Sequence, residues 1–372
     1  MRIASRRLIT RAGAFTSSSA GWRWGFYINL CVGAVLVPAW VFFLPKYDPR
    51  PGVPLSQRFS EIDIVGTILM LGAMVSGVMA IDFGGTTYPW MSGQIIGLFC
   101  TSGILFIIFA FQQRFTVFTS QARRLFPVEF LRSRTMILLF CATACGSTAI
   151  FIPIYFIPLF FQFVLSSSAI SAGVHLLPFV VVLVIFCVGN GAIMGATGYY
   201  MPWFLTGGIF TIIGSALLYT VDEFSSSARV YGYSVLLAVG GGSFVQAAFS
   251  VAQAKVGPVK IPEAIGFITL GQLLGATVSL AIADTVFLND AARGIAAIVP
   301  TASQAEIYAA VSGAGSTLIQ NLPPDTRAAA LHAIVSSMSK AYIMTLTAGA
   351  LVLVVSLGMK REKMFMKAAG AG

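Results

Sequence analysis

Apolar residues in this chain gather into blocks of about twenty, separated by connections that hold most of the charge. A bilayer core of roughly 30 Å is crossed by about 20 helical residues. Nine blocks meet that length, at 24–44, 63–82, 94–112, 135–163, 172–190, 201–220, 230–252, 264–288 and 339–359. The pattern predicts nine membrane helices and no lipid-facing strand. Pro38, Pro153, Pro158 and Pro178 fall within blocks, where neighbouring helices can satisfy the freed carbonyls.

The basic residues orient the blocks. With the end of the first block taken as cytoplasmic, the inner segments 45–62, 113–134, 253–263 and 360–372 hold fourteen Lys and Arg, and segment 191–200 holds none. The outer connections hold four: Arg229, Arg293, Arg327 and Lys340. The remaining five, Arg2, Arg6, Arg7, Arg11 and Arg23, lie in the first 23 residues, which this topology places outside against the rule.

Composition agrees and excludes other classes. Of 372 residues 57% are hydrophobic and 10% charged, against roughly 25% charged in a soluble domain. The net charge of +10 is spread over short connections, unlike the basic face of a nucleic-acid binder. Cys31, Cys100, Cys141, Cys145 and Cys187 all sit in apolar runs, as small hydrophobes do. His175 and His332 lack metal-ligand spacing, and no hydrolase, P-loop or paired-carboxylate signature occurs. Neither an enzyme nor a metal or cofactor site is expected; the expected partners are the lipid bilayer and, at polar positions within it, a ligand.

Six stretches carry a family resemblance: "GWRWGFYINL" (21–30), "EIDIVGTILM" (61–70), "DFGGTTYPW" (82–90), "PIYFIPLFFQFVLSSSAISAGVHLLP" (153–178), "GATGYYMPW" (195–203) and "LGQLLGATVSLAIADTVFLN" (270–289). In order and spacing they resemble the fourteen-helix drug:proton antiporter branch of the major facilitator superfamily, as found in fungal multidrug and toxin efflux pumps. The resemblance covers residues 13 to 363 and implies an all-α major facilitator fold. The nine helices then correspond to the family's helices six to fourteen, with the first five missing.

The resemblance divides the chain into an atypical stretch and outer loop (1–23), the last helix of an N-terminal half (24–44), two linker helices with basic cytoplasmic loops (45–134), a C-terminal six-helix half (135–359) with an outer loop at 289–338, and a basic tail (360–372). Within that loop Asp325 or Thr326 is expected to cap a short helix, and interfacial helices are expected to cover the outer mouth. The first twenty residues have a transit-peptide composition. Because "GAFT" (13–16) already resembles the transporter, a misassigned start or intron in place of the fifth helix is the preferred reading.

By resemblance the protein is a proton-coupled exporter of hydrophobic or amphipathic small molecules, in the plasma membrane or else the vacuolar membrane. The alternative expectation is a truncated, non-transporting membrane fragment. Polar groups at membrane depth are the substrate-path candidates: the amides Gln162, Asn190, Gln246 and Gln272, the aromatic Tyr155, and Asp284, about four residues from the predicted end of its helix. Asp63 is expected to cap a helix and Asp82 to end one. Trp22, Arg23, Trp24, Gly84, Gly85, Trp90, Gly173, Pro178, Gly271 and Gly275 are expected to serve structure, as are Gly240, Gly241 and Gly242 through close helix packing.

Overall fold

A computed structural model describes residues 24–43, 52, 54, 57–58, 61–121, 123–312 and 317–364. The stretch 1–23 with Trp22 and Arg23 lies outside the described residues, as do most of 44–60 and the tail from 365; of Trp24 only the backbone is described. The helices are α1 (Trp24–Phe43), α2 (Ile64–Phe83), α3 (Gly93–Phe115), α4 (Arg134–Val164), α5 (Ala169–His175), α6 (Leu177–Thr197), α7 (Met201–Tyr219), α8 (Ser227–Lys255), α9 (Ile261–Ile298), α10 (Gln304–Ser312), α11 (Thr317–Gln320) and α12 (Pro324–Leu357). Eight are long and apolar enough to cross a bilayer among the described residues, and α1 adds the shorter apolar stretch Asn29–Phe43. All nine predicted blocks are therefore helical.

Local chemistry sets several starts. Ser92, Ser168 and Ser226 cap α3, α5 and α8 by accepting from the backbone N–H three residues on. Pro153 and Pro158 are accommodated inside α4. The predicted 172–190 block is broken at Leu176, so Pro178 does not interrupt a helix but lies in the first turn of α6, where its missing N–H costs no helical hydrogen bond.

Two helices outrun their predicted ends. The block predicted to stop at 288 continues to Ile298, and the last helix begins at Pro324 instead of 339. Hydropathy marks only the hydrocarbon-depth part of a helix, whereas the helix itself extends into water. The outer connection is thus 299–323, not 289–338. Asp325 and Thr326 do not cap a separate short helix, because both lie in the first turn of α12. A cap does form at Ser303, which exchanges hydrogen bonds with Glu306 at the start of α10, the reciprocal arrangement of a capping box.

Packing centres on α8. Three consecutive glycines on a helix point about 100° apart, and each meets a different neighbour. A Cβ at Gly240 would lie 2.5 Å from the Thr211 backbone N of α7, at Gly241 3.2 Å from Ile150 of α4, and at Gly242 2.7 Å from the Leu183 carbonyl of α6. Gly271 and Gly275 likewise bring α9 against Phe140 and Ala144 of α4. Small residues at such crossings let backbones approach where no hydrophobic force drives association. Helices α2 and α3 form a hairpin whose first helix leans on α9.

Candidate substrate-path site

Helix α4 presents a stripe to the molecular surface. Phe151 and Tyr155 are one turn apart and both exposed, and Gln162, half-buried, follows two turns on along the same face. Tyr155 packs edge-on against Phe156, with ring centroids 5.1 Å apart, and Phe156 in turn meets Phe287 of α9 at 5.5 Å. These ring contacts fix α4 to α9 at the level where α9 carries Asp284.

Asp284 is fourteen residues from the end of its helix at Ile298, about 21 Å at 1.5 Å per residue. The helix runs on past the apolar block that ends at 288, so the carboxyl stays near the outer edge of the hydrocarbon, level with the outer end of α2, where Thr285 donates to the Ile81 carbonyl. The neighbours of the Asp284 carboxyl are the Tyr155 hydroxyl of α4 and the Asp82 carboxyl near the end of α2. One carboxyl oxygen, Oδ1, is buried without a hydrogen-bond partner among the described residues. An acid held beside a phenol near the outer edge of the hydrocarbon has a partner for proton exchange and an oxygen left over for a ligand or water.

The other candidates lie elsewhere. Gln272 is half-buried on α9, twelve residues before Asp284, hence about 18 Å along the axis and on a different face. Asn190 is 2% exposed and donates through Nδ2 to the Ser243 carbonyl, which ties α6 to α8 and removes Asn190 from any open path. Gln246 is the exposed position in the otherwise buried stretch 240–248 of α8. It shares a face with Val239 and Ser243, turned between α6 and α7 and away from Tyr155. Gly173 stands in open space on α5.

The linker hairpin is clasped at both ends. At the inner end Asp63, 4% exposed, caps α2 by accepting from the Gly66 N–H at 2.8 Å. It also accepts from Gln113 Nε2 at 2.6 Å, Gln112 Nε2 at 3.1 Å and the Leu125 N–H at 3.3 Å. Burial alone raises a carboxyl pKa; here the four donors outweigh it and hold Asp63 below the ordinary carboxylate value. Gly66 is required, since a Cβ there would sit 2.4 Å from the carboxylate. At the outer end Gly85, at φ +76°, packs against Trp90 and Asn289, and Gly84 against Trp90. Asn289 Nδ2 donates to the Gly84 carbonyl at 3.1 Å, Tyr308 Oη to the Gly85 carbonyl at 2.7 Å, and Thr285 Oγ1 to the Ile81 carbonyl at 3.0 Å. Sequence reasoning missed Gln112, Gln113, Asn289 and Tyr308. "DFGGTTYPW" signalled a turn but not what holds it.

A helical bundle with eight bilayer-length apolar helices and ionisable groups at membrane depth defines a multi-pass membrane protein. The chain is similar to transporters of the major facilitator superfamily. The fungal trichothecene efflux pump family (TRI12) matches over residues 3–170. Among individual relatives, the MFS-type transporter pgmG of Aspergillus terreus is 50% identical over 95% of this chain and 63% of its own length. The efflux pump alnA of Emericella nidulans is 44% identical over 96% of this chain and 66% of its own length. A bacterial homologue of the human lysosomal transporter Spinster superposes with a TM-score of 0.47 at 14% identity, over 78% of this chain and 67% of that one. The chain thus spans less than two thirds of the length of pgmG and alnA.

Proposed function

We propose that this chain forms the C-terminal part of a secondary transporter that exports hydrophobic or amphipathic small molecules in exchange for protons, acting in the plasma membrane. The observation that carries the reading is the pairing of Asp284 with Tyr155 on the exposed Phe151–Gln162 stripe of α4. The aromatic rings offer adaptable apolar contact and the amide a hydrogen bond, while the acid offers a place for a proton. The efflux-pump names of the relatives support the direction of transport.

Expression in a host lacking its own export pumps tests this. Cells with the chain are expected to hold less of a fluorescent amphipathic dye than cells without it. A protonophore should abolish the difference, and Asp284→Asn should reduce export at least tenfold without lowering the amount of protein in the membrane. A second reading, a membrane protein that does not transport, is favoured by the share of the relatives' length that the chain spans. Dye levels equal to those of the empty host, with the protein present in the membrane, would establish it.

A further inference from the structure

Helices α6 and α7 are consecutive, yet each leans on α8 and they diverge from one another. Between them runs an open groove of about 500 Å³. Phe186 and Ile193 form one wall, Trp203 and Phe210 the other, and Val239 and Ser243 of α8 the floor. From Thr197 at its mouth to Phe186 is eleven residues of α6, about 16 Å along the axis. That is half of the roughly 30 Å hydrocarbon thickness, the depth of one leaflet.

The mouth is polar and aromatic. Thr197 and Thr206 line it beside Tyr199 and Trp203, and these two aromatic types settle where hydrocarbon meets headgroup. Gln246 lies on the groove face of α8 one turn inward of Ser243. The contacts of Asn190 with Ser243 and of Gly207 with Phe244 set it near the level of Ile193 and Trp203, the depth at which a lipid carries its ester groups.

Above the mouth lies the segment after α12. Met364 donates its N–H to the Gly198 carbonyl at 2.8 Å, and Lys363 pairs with Tyr199 across the α6–α7 turn. Gly198 sits at φ +76°, and a Cβ there would lie 2.7 Å from the Met364 carbonyl, so the turn admits the strap only with glycine. Glu362 binds Lys255 at the end of α8, which draws its carboxyl below the usual range and neutralises the strap's one acid. Lys363 lies 5.9 Å over the Tyr199 ring, and Lys360, Arg361 and Lys363 are all exposed.

We propose that this groove binds one anionic phospholipid of the cytoplasmic leaflet, its acyl chain between α6 and α7 and its headgroup against Lys360, Arg361 and Lys363. Three cations beside a one-leaflet apolar slot complement an anionic headgroup, whereas a zwitterionic lipid fills the slot without that charge. The inference rests on membrane insertion alone and stands whether or not the chain transports.

The test reconstitutes the full chain into phosphatidylcholine vesicles that contain increasing brominated phosphatidylglycerol or, separately, brominated phosphatidylcholine. The Trp203 signal is the fluorescence lost on Trp203→Phe. It is expected to be half-quenched at a several-fold lower fraction of the brominated anionic lipid. Lys360→Glu/Lys363→Glu should erase that preference while leaving quenching by brominated phosphatidylcholine unchanged, which shows that the variant is folded. Superimposable curves for the two lipids in the unaltered chain would overturn the proposal, as would a preference that survives charge reversal.

Discussion

Single side chains decide the geometry at both ends of the linker hairpin. Asp63 is a buried carboxylate with four donors aimed at it, and removing one partner of a buried hydrogen-bonded charge costs about 1–3 kcal/mol or more. Asp63→Ala is therefore expected to lower stability by about that amount, read as the melting midpoint of the detergent-solubilised protein near neutral pH. The sign with pH follows from the lowered pKa. The ionised form stabilises the fold above the unfolded value of roughly 3.9, and that contribution is lost as pH falls through the lower folded value. The gap between Asp63→Ala and the unaltered protein should thus be widest near pH 7 and shrink below pH 4. The Asp63 cap was legible in the sequence because a carboxylate before an apolar block has one local use. Its other partners were not, because Gln112 and Gln113 are about fifty residues away and reach it only once α2 and α3 have paired.

At the scale of helices, glycine positions separate contact from mere presence. Gly275 crosses α4 so closely that a Cβ would lie 2.3 Å from the Ala144 carbonyl, whereas Gly97 on α3 has nothing within 4 Å. Gly275→Ala must push backbone apart, at a cost of about 1–3 kcal/mol, and Gly97→Ala is expected to be neutral or slightly stabilising through helix propensity. Thermal melts of the two variants beside the unaltered chain check this. Which blocks were helical could be read from apolar length, since a bilayer dictates it. Where α9 and α12 end could not, because "NDAARGIAAI" (289–298) leaves hydrocarbon while remaining helix. The break at Leu176 was hidden for a related reason: a hydropathy window averages over a single turn, and the stop is set by Ser168 capping α5 and Pro178 opening α6.

For the molecule as a whole, the polar groups at membrane depth sort onto separate surfaces. Asp284, Tyr155 and Gln162 fall on the α4–α9 side, Gln246 is exposed on the face of α8 that carries Ser243, and Asn190 lies inside a helix contact. Residue type and helical spacing named these candidates from sequence. Grouping them required the order in which helices surround α8, which no single helix encodes. The central claim is that the α4 stripe lines a water-filled path for an exported molecule. After replacement of the five native cysteines, Phe151→Cys tests it, with Val354→Cys on the exposed apolar face of α12 as the lipid-facing reference. In membranes, a membrane-impermeant thiol reagent is expected to modify position 151 at least tenfold faster than position 354, and a bound amphipathic dye should slow it. Equal, slow reaction at both positions, unaffected by the dye, would contradict the account.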